Sequence, residues 1–177
     1  MKEIEKSWIE KGYRFFAYEG PRGLKVERLS KEVGKHKSSF YHLFADLEIF
    51  LERVLTFHLH QAKIVAAKES NSKNEKELIK VILEHKLDLL FNRQLRIHRE
   101  NPDFENCFNL TNQISIPAIL PIWKRVIGLS ENNSLAQMVL MLSLEIFYLQ
   151  ITDETLNESW LEEYFASIRN MVLQLKQ

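Results

Sequence analysis

The sequence predicts an all-α protein of about nine helices. Only five Gly and four Pro occur among its 177 residues, whereas β-sandwiches and barrels need turn residues roughly every 8–12 positions. Apolar residues instead recur at helical spacing along most of the chain, and we find no segment of useful length with the two-residue period of a strand. Long helices joined by few turns account for both observations.

Three short helices are predicted at the N-terminal end. The first runs from about Lys2 to Tyr18, where the cluster Gly-Pro-Arg-Gly stops it. The second covers about residues 26–33 and ends at Gly34, and the third is centred on Phe40. Two short helices joined by a tight glycine-containing turn, with another helix before them, fit a helix-turn-helix.

Six further helices are predicted from residue 46 onward. Asp46 has the side chain of an N-cap for the first of them, and the polar run at residues 70–74 reads as a loop. The predicted ranges are about Asp46–Lys68, Glu75–Ile97, a short helix from Pro102 to Phe108, another from Pro117 to Gly128, Leu135–Ile151 and Leu156–Leu175.

The last two helices predict a homodimer. Leu135–Ile151 is apolar on almost every side, and the cover that such a helix needs is easier to supply if a second subunit provides part of it. The helix also carries Gln137, Ser143, Glu145 and Gln150, so it is not a membrane span of about 20 uncharged apolar residues. The predicted interface residues are Met138, Leu142, Trp160, Leu161, Tyr164, Phe165, Ile168 and Val172.

Composition and motifs exclude several classes of protein. The one cysteine, Cys107, can form neither an internal disulfide nor a multi-cysteine metal site, which fits a reducing cytoplasm. His58 and His60 lie about 200° apart around a helix, so they cannot bind one metal ion together. No phosphate-binding glycine loop, nucleophile elbow or signal peptide occurs. We therefore expect no catalytic residue, metal or cofactor, and a cytoplasmic protein with no membrane partner.

The charge is divided unevenly along a chain that is neutral in total. Residues 1–45 hold ten Lys+Arg and six Asp+Glu, a net of +4, whereas residues 46–177 hold fourteen and eighteen, a net of −4. A basic N-terminal end favours an anionic partner there, although solvated lysines alone produce the same count.

The outward face of the third helix has side chains suited to binding in the major groove of DNA. If Phe40 points inward, a rotation of about 100° per residue turns Phe44 inward as well and leaves Ser38, Tyr41 and His42 outward. Lysines at the start of this helix meet phosphates, and small polar side chains approach base edges. We expect Lys35, Lys37, Ser38, Tyr41 and His42 to contact DNA.

The run LSKEVGKHKSSFYHLFADLE, residues 29–48, resembles the DNA-binding signature of the tetracycline-repressor-like (TetR) family of bacterial transcription regulators. Gly34 stands at the turn glycine of that signature, residues 39–41 match its Thr-Leu-Tyr, Phe44 matches its Phe and Glu48 its Glu. The family has Ser as a helix cap where this chain has His36, and a backbone-contacting lysine where it has Leu47. With the resemblance, the DNA-binding candidates become Lys25, Lys35, His36, Lys37, Ser38, Ser39, Tyr41 and His42.

The same resemblance implies a small-molecule pocket among the middle helices and a four-helix bundle formed by the last two helices of each subunit. The pocket candidates are Phe57, His85, Phe91, Phe108, Asn112, Gln113, Trp123 and Phe147, which equally suit a solid core. A ligand of ordinary size needs a cavity of a few hundred Å³, roughly 300 or more. The basic cluster Arg93, Arg96, His98 and Arg99 either complements a helix dipole or recognises an anionic ligand.

The sequence therefore predicts a helix-turn-helix domain at residues 1–45 and a ligand-binding and dimerisation domain at residues 46–177. The predicted function is a repressor that binds duplex DNA at a near-palindromic operator. A mostly apolar small molecule with an anionic or polar end releases it. Two alternatives stay open at this point: a helical module that binds another protein, and a DNA-binding dimer without a ligand.

Overall fold

The computed structural model of the chain describes residues 3–175, which form nine α-helices and no strand. The all-α prediction is confirmed. The helices are α1 (Glu3–Glu19), α2 (Val26–Val33), α3 (Lys37–Phe44), α4 (Leu47–Asn71), α5 (Glu75–Glu84), α6 (Lys86–Ile97), α7 (Pro102–Val126), α8 (Asn133–Gln150) and α9 (Glu158–Leu175), and a single 3₁₀ turn, Gly20–Gly23, follows α1. No helix in the described range is both long and apolar enough to cross a membrane.

The helix count agrees with the prediction because two differences cancel. The predicted helix Glu75–Ile97 is divided into α5 and α6 at His85, whose ring lies 2.9 Å from Asp88 Oδ2 at the start of α6. Conversely, the two helices predicted at Pro102–Phe108 and Pro117–Gly128 are one helix, α7, which runs unbroken through Pro117 and Pro121. An internal proline costs about 3 kcal/mol, and the long packing contact of α7 along α4 offsets that cost.

We call α1–α3 the head and α4–α9 the body. Within the head, α2 ends at Gly34, which has φ 69°, and the N–H of Lys35 donates to the carbonyl of Ser30 over 3.0 Å. A left-handed glycine with this bond is the usual helix stop. The tight turn sets α3 at a fixed angle to α2, as a helix-turn-helix requires.

Aromatic rings hold α3 against the rest of the protein. Phe40 lies 5.4 Å from Trp8 of α1 and 5.2 Å from Phe50 of α4, measured between ring centroids, and Phe44 lies 4.9 Å from Phe50. All four side chains are buried. Each such pair adds about 0.5–1.5 kcal/mol to simple burial, so the position of α3 follows that of α1 and α4.

The connection from α3 to α4 is a single tight turn. Ala45 has φ 60° and ψ −53°, and the N–H of Asp46 donates to the carbonyl of Phe44 over 2.7 Å, which makes a γ-turn. This conformation is strained for a residue with a Cβ. Asp46 then caps α4 by accepting from the N–H of Ile49 over 2.8 Å.

The body is organised around α4 and α7, which run parallel. Cys107 of α7 lies level with Leu55 of α4, and Arg125 near the end of α7 donates to the carbonyl of Ser72 just beyond α4. Helices α6 and α8 pack against α7, and Tyr164 of α9 donates to the carbonyl of Ser143 of α8 over 2.5 Å. This arrangement leaves a narrow space between α4, α7 and α8, described below.

Candidate nucleic-acid interface and ligand cavity

The outward face of α3 has the side chains that the helical rotation predicts. Ser38, Tyr41 and His42 are exposed, Tyr41 to 52%, while Phe40 and Phe44 are buried. The predicted inward and outward directions of these side chains are confirmed. Of the remaining DNA-binding candidates, Lys25, Lys35, His36 and Lys37 are exposed and Ser39 is half-buried.

The two helices of the helix-turn-helix begin without a side-chain cap. Neither Lys25 before α2 nor His36 before α3 makes a capping hydrogen bond, whereas α4, α5, α7 and α8 are each capped by Asp or Asn. The first N–H groups of an uncapped helix remain able to bind an acceptor. Phosphate oxygens are suitable acceptors at this position.

Acidic side chains of the head neutralise some of its cations. Lys37 donates to Glu27 over 2.5 Å, and this bond lowers the pKa of the Glu27 carboxyl. Arg28 donates to Glu19 over 2.5 Å and lies 3.9 Å above the ring of Phe15. A phosphate would therefore compete with Glu27 for Lys37.

A cavity of about 80 Å³ lies in the body between α4, α6, α7, α8 and α9. It is in the predicted region but is much smaller than the few hundred Å³ expected, and five aromatic side chains of α7, α8 and α9 line it. Three of the predicted pocket residues, Asn112, Trp123 and Phe147, line it.

The other five predicted pocket residues do not line the cavity. Phe91 is fully buried between head and body, and Phe57 packs edge-on against Tyr13 nearby. Phe108 lies near Arg96, and Gln113 points to solvent. His85 is at the break between α5 and α6. A core aromatic and a pocket aromatic have the same spacing along a helix, so the sequence pattern could not separate them.

One face of α4 supplies lining residues that are not among the predicted pocket residues. His58, Ala62, Val65 and Glu69 line the cavity at the i, i+4, i+7, i+11 spacing of a single helix face. The sequence does carry a signal for Glu69, because a charged residue stands there on a helix face that is otherwise largely apolar. On α6, Asn92 also lines the cavity.

Glu69 is 5% exposed, and its Oε2 atom has no hydrogen-bond partner among the described residues. Burial raises the pKa of this carboxyl to about 8, because a charged group is disfavoured away from water. Burial also lowers the pKa of the His58 imidazole to about 4, although Asp88 and Asn92 nearby oppose the shift. Near neutral pH His58 is therefore uncharged.

The basic cluster at the end of α6 is not part of the cavity. Arg96 donates to Glu145 of α8, and His98 lies beside Glu100 at 3.6 Å. None of Arg93, Arg96, His98 and Arg99 lines the space. In the described residues, no three His, Cys, Asp or Glu side chains are placed to hold a metal ion.

Tyr13 of the head contacts two residues that line the cavity. Its hydroxyl donates to Asp88 Oδ1 of α6 over 2.6 Å and lies 2.8 Å from His58 Nδ1 of α4. Because the Tyr13 hydroxyl donates its proton to Asp88, His58 Nδ1 is the donor in the bond between His58 and the hydroxyl oxygen. The cavity and the head therefore share one hydrogen-bonded group.

The two C-terminal helices present different surfaces. Of the predicted interface residues on α9, Leu161, Phe165, Ile168 and Val172 are buried within this chain, and Trp160 and Tyr164 are half-buried. The stripe on α9 thus packs on the chain's own core and is not the exposed patch that we expected. The exposed apolar residues lie on α8 and at the end of α9: Met138, Met141, Leu142, Ile146, Leu149, Met171 and Leu173.

Replacing Glu69 with Gln should stabilise the protein, increasingly so as the pH rises from 5 to 8. The folded chain keeps a proton on Glu69 up to a pKa of about 8, whereas the ordinary value is 4.5, so unfolding releases a proton in this range. Stability then falls with pH by up to about 1.4 kcal/mol per unit, and the Gln variant lacks this loss. Urea unfolding at pH 5, 6.5 and 8 measures the difference.

The matched control for this prediction is Glu131→Gln, at an exposed turn residue. It should change the free energy of unfolding by less than about 0.5 kcal/mol at each pH. An equal stability difference between Glu69→Gln and the wild type at pH 5 and pH 8 would contradict the assignment of a buried, protonated carboxyl.

Comparisons with known proteins support the fold described above. No protein-family model matches the chain, and no curated protein sequence does. Two solved structures match, each of a protein assigned to the TetR family of transcriptional regulators. The one from Rhodococcus sp. is 15% identical with a TM-score of 0.60 and 97% of both chains covered. The one from Mesorhizobium loti is 14% identical with a TM-score of 0.61, covering 97% of this chain and 96% of the other. The chain therefore has the fold of TetR-family regulators over nearly its whole length, as its helix-turn-helix motif predicts.

Proposed function

We propose that the protein is a dimeric, DNA-binding transcriptional regulator of the TetR type that acts as a repressor in the cytoplasm. In this proposal residues 1–45 bind DNA, and residues 46–177 form the dimer and hold the regulatory cavity. The helix α3 enters the major groove of a near-palindromic operator. No enzymatic activity is proposed.

The observation that carries this proposal is the exposed polar face of α3. Its side chains, Lys37, Ser38, Tyr41 and His42, are those that bind phosphates and base edges. Buried Phe40 and Phe44 fix the helix from behind, so little ordering is required when DNA binds. The missing side-chain caps leave N–H groups of α2 and α3 for phosphate oxygens.

The surface of α8 supports a homodimer. Glu145 is the only charged residue of this helix, and it pairs with Arg96 of the same chain. Leu142 and Leu149, two turns apart on α8, are 58% and 68% exposed. A continuous apolar stripe on a helix is buried by a partner in most soluble proteins, and a second copy of the same stripe gives two-fold symmetry. Two heads related in this way match a near-palindromic site.

The contacts of Tyr13 support release by a small molecule. A ligand can lower DNA affinity only if it binds the non-binding conformation more tightly. A ligand that displaces His58 or Asp88 from Tyr13 would shift α1 and, through the Trp8–Phe40 contact, α3. The cavity volume of about 80 Å³ limits such a ligand to a small molecule, and a DNA-binding dimer without a ligand is the second candidate.

We expect the double variant Lys35→Ala, Lys37→Ala to bind the DNA upstream of its own gene more weakly than the wild type. Each lost phosphate contact should reduce the slope of log affinity against log salt by about 0.9, so the loss of two contacts from each of the two heads of the dimer should reduce it by about 3.6. Fluorescence anisotropy at several salt concentrations measures both quantities.

The control for this experiment is Lys63→Ala, Lys80→Ala, which removes two exposed lysines from the body and should leave the slope unchanged. If the head variant binds the upstream DNA with wild-type affinity and slope, α3 is not the DNA-binding element. The alternative of a protein-interaction module would then be favoured.

Changing Leu142 and Leu149 to Glu should convert the dimer to a folded monomer. Two carboxylates in an apolar two-fold interface face their own copies, and burying them unpaired costs several kcal/mol. Analytical ultracentrifugation at micromolar concentration measures the mass. Ile97→Glu, at an exposed residue of α6, is the control and should stay dimeric. A wild type that sediments as a monomer would refute the dimer.

A further inference from the structure

We propose that the cavity binds a slender organic cation, an ammonium group on a short apolar chain, with the carboxylate of Glu69 as its counter-ion. The inference deepens the proposed function, since it names the class of effector. The binding itself involves no DNA, so it can be tested separately.

The charges that line the cavity favour a cation. Glu69 and Asp88 are the acidic lining residues, and none of the described lining residues is Lys or Arg. The basic cluster of α6 lies elsewhere and pairs in part with Glu145. An anionic end group, the other possibility that the sequence leaves open, would meet two acidic side chains without a compensating cation.

Of the two carboxylates, Glu69 is the one without a partner. Asp88 accepts from Tyr13 over 2.6 Å and lies 2.9 Å from His85 Nδ1, so both of its oxygens are engaged. The Oε2 atom of Glu69 has no hydrogen-bond partner in the described chain. Without a partner this carboxyl is protonated near neutral pH, because a buried charge is stable only when it is paired. An ammonium group supplies both a charge and N–H donors, so the carboxyl releases its proton to solvent when the cation binds.

The other end of the cavity also offers acceptors. The Nδ1 atom of His58 is a donor to Tyr13, so its Nε2 atom is an acceptor, and this atom has no partner. Asn92 donates through Nδ2 to the Tyr148 hydroxyl over 2.7 Å, which leaves its Oδ1 atom without a partner. Because both unpartnered atoms are acceptors, this end of the cavity also disfavours an anionic group.

Aromatic rings lie at the level of Glu69. Because α4 and α7 run parallel with Ser72 beside Arg125, Trp123 comes level with the last turn of α4. Its ring lies 5.9 Å from that of Phe165, and both side chains line the cavity. Aromatic faces attract ammonium groups and cover the adjoining methylene groups.

The size of the cavity limits the ligand to a small molecule. Its volume is about 80 Å³, whereas a benzene-sized ligand occupies a cavity of about 150 Å³, so the ligand must be smaller than benzene. An ammonium group on a chain of about three carbons meets this limit.

Isothermal titration of the full-length protein with n-propylamine, propan-1-ol and propanoate tests the proposal. The three molecules have the same number of carbons and differ in the charge of the end group. We expect n-propylamine to bind more tightly than propan-1-ol by about tenfold or more, the range of a charge-assisted hydrogen bond, and propanoate to bind weakest. Failure of all three to bind, or propanoate binding as well as n-propylamine, overturns the proposal.

The variant Glu69→Gln provides the second measurement. Its side chain has the same shape without the charge, so the preference for n-propylamine over propan-1-ol should disappear while propan-1-ol still binds. The control Glu131→Gln should keep the preference. Unchanged n-propylamine affinity in Glu69→Gln would overturn the role of this residue. Since DNA is absent from both titrations, a failure of the proposed DNA-binding function can neither produce nor hide these results.

Discussion

The side chain of Tyr13 joins the first helix to two helices of the body through one hydroxyl group. The ring is buried and stacked on Phe91 at 4.3 Å between centroids, and a phenol in such surroundings must find polar partners. It finds Asp88 on α6 and His58 on α4. Burial, followed by the neighbouring Asp88 carboxylate, raises the pKa of Tyr13 well above its ordinary value, so the hydroxyl remains a donor.

The positions of the other functional parts follow from this contact. Because α1 is fixed on the body, Trp8 fixes Phe40 and with it the exposed face of α3. His58 and Asp88 also line the cavity, so whatever occupies that space contacts the groups that hold the head. Two sites that share a hydrogen-bonded group can be coupled by a modest difference in affinity between two conformations.

The sequence predicted the surfaces that depend on local geometry and not those that depend on packing partners. The face of α3 follows from helical rotation alone, and its side chains lie as predicted. The continuity of α7 through Pro117 and Pro121 depends on α4, which no local pattern reveals. Likewise, the apolar stripe on α9 has the same period whether the core of the same chain or a second subunit buries it. For the same reason Glu69 was missed, since its burial requires α7 and α8.

The most direct test of this account is a double-mutant cycle between Tyr13→Phe and Asp88→Ala, measured by urea unfolding. A hydrogen bond to a charged group contributes about 1.5–3 kcal/mol, so the two changes should be non-additive by that amount. Tyr18→Phe, at an exposed tyrosine of the same helix, should show no coupling with Asp88→Ala. A coupling energy below about 0.5 kcal/mol for the Tyr13 pair would contradict the claim that this contact joins the head to the body.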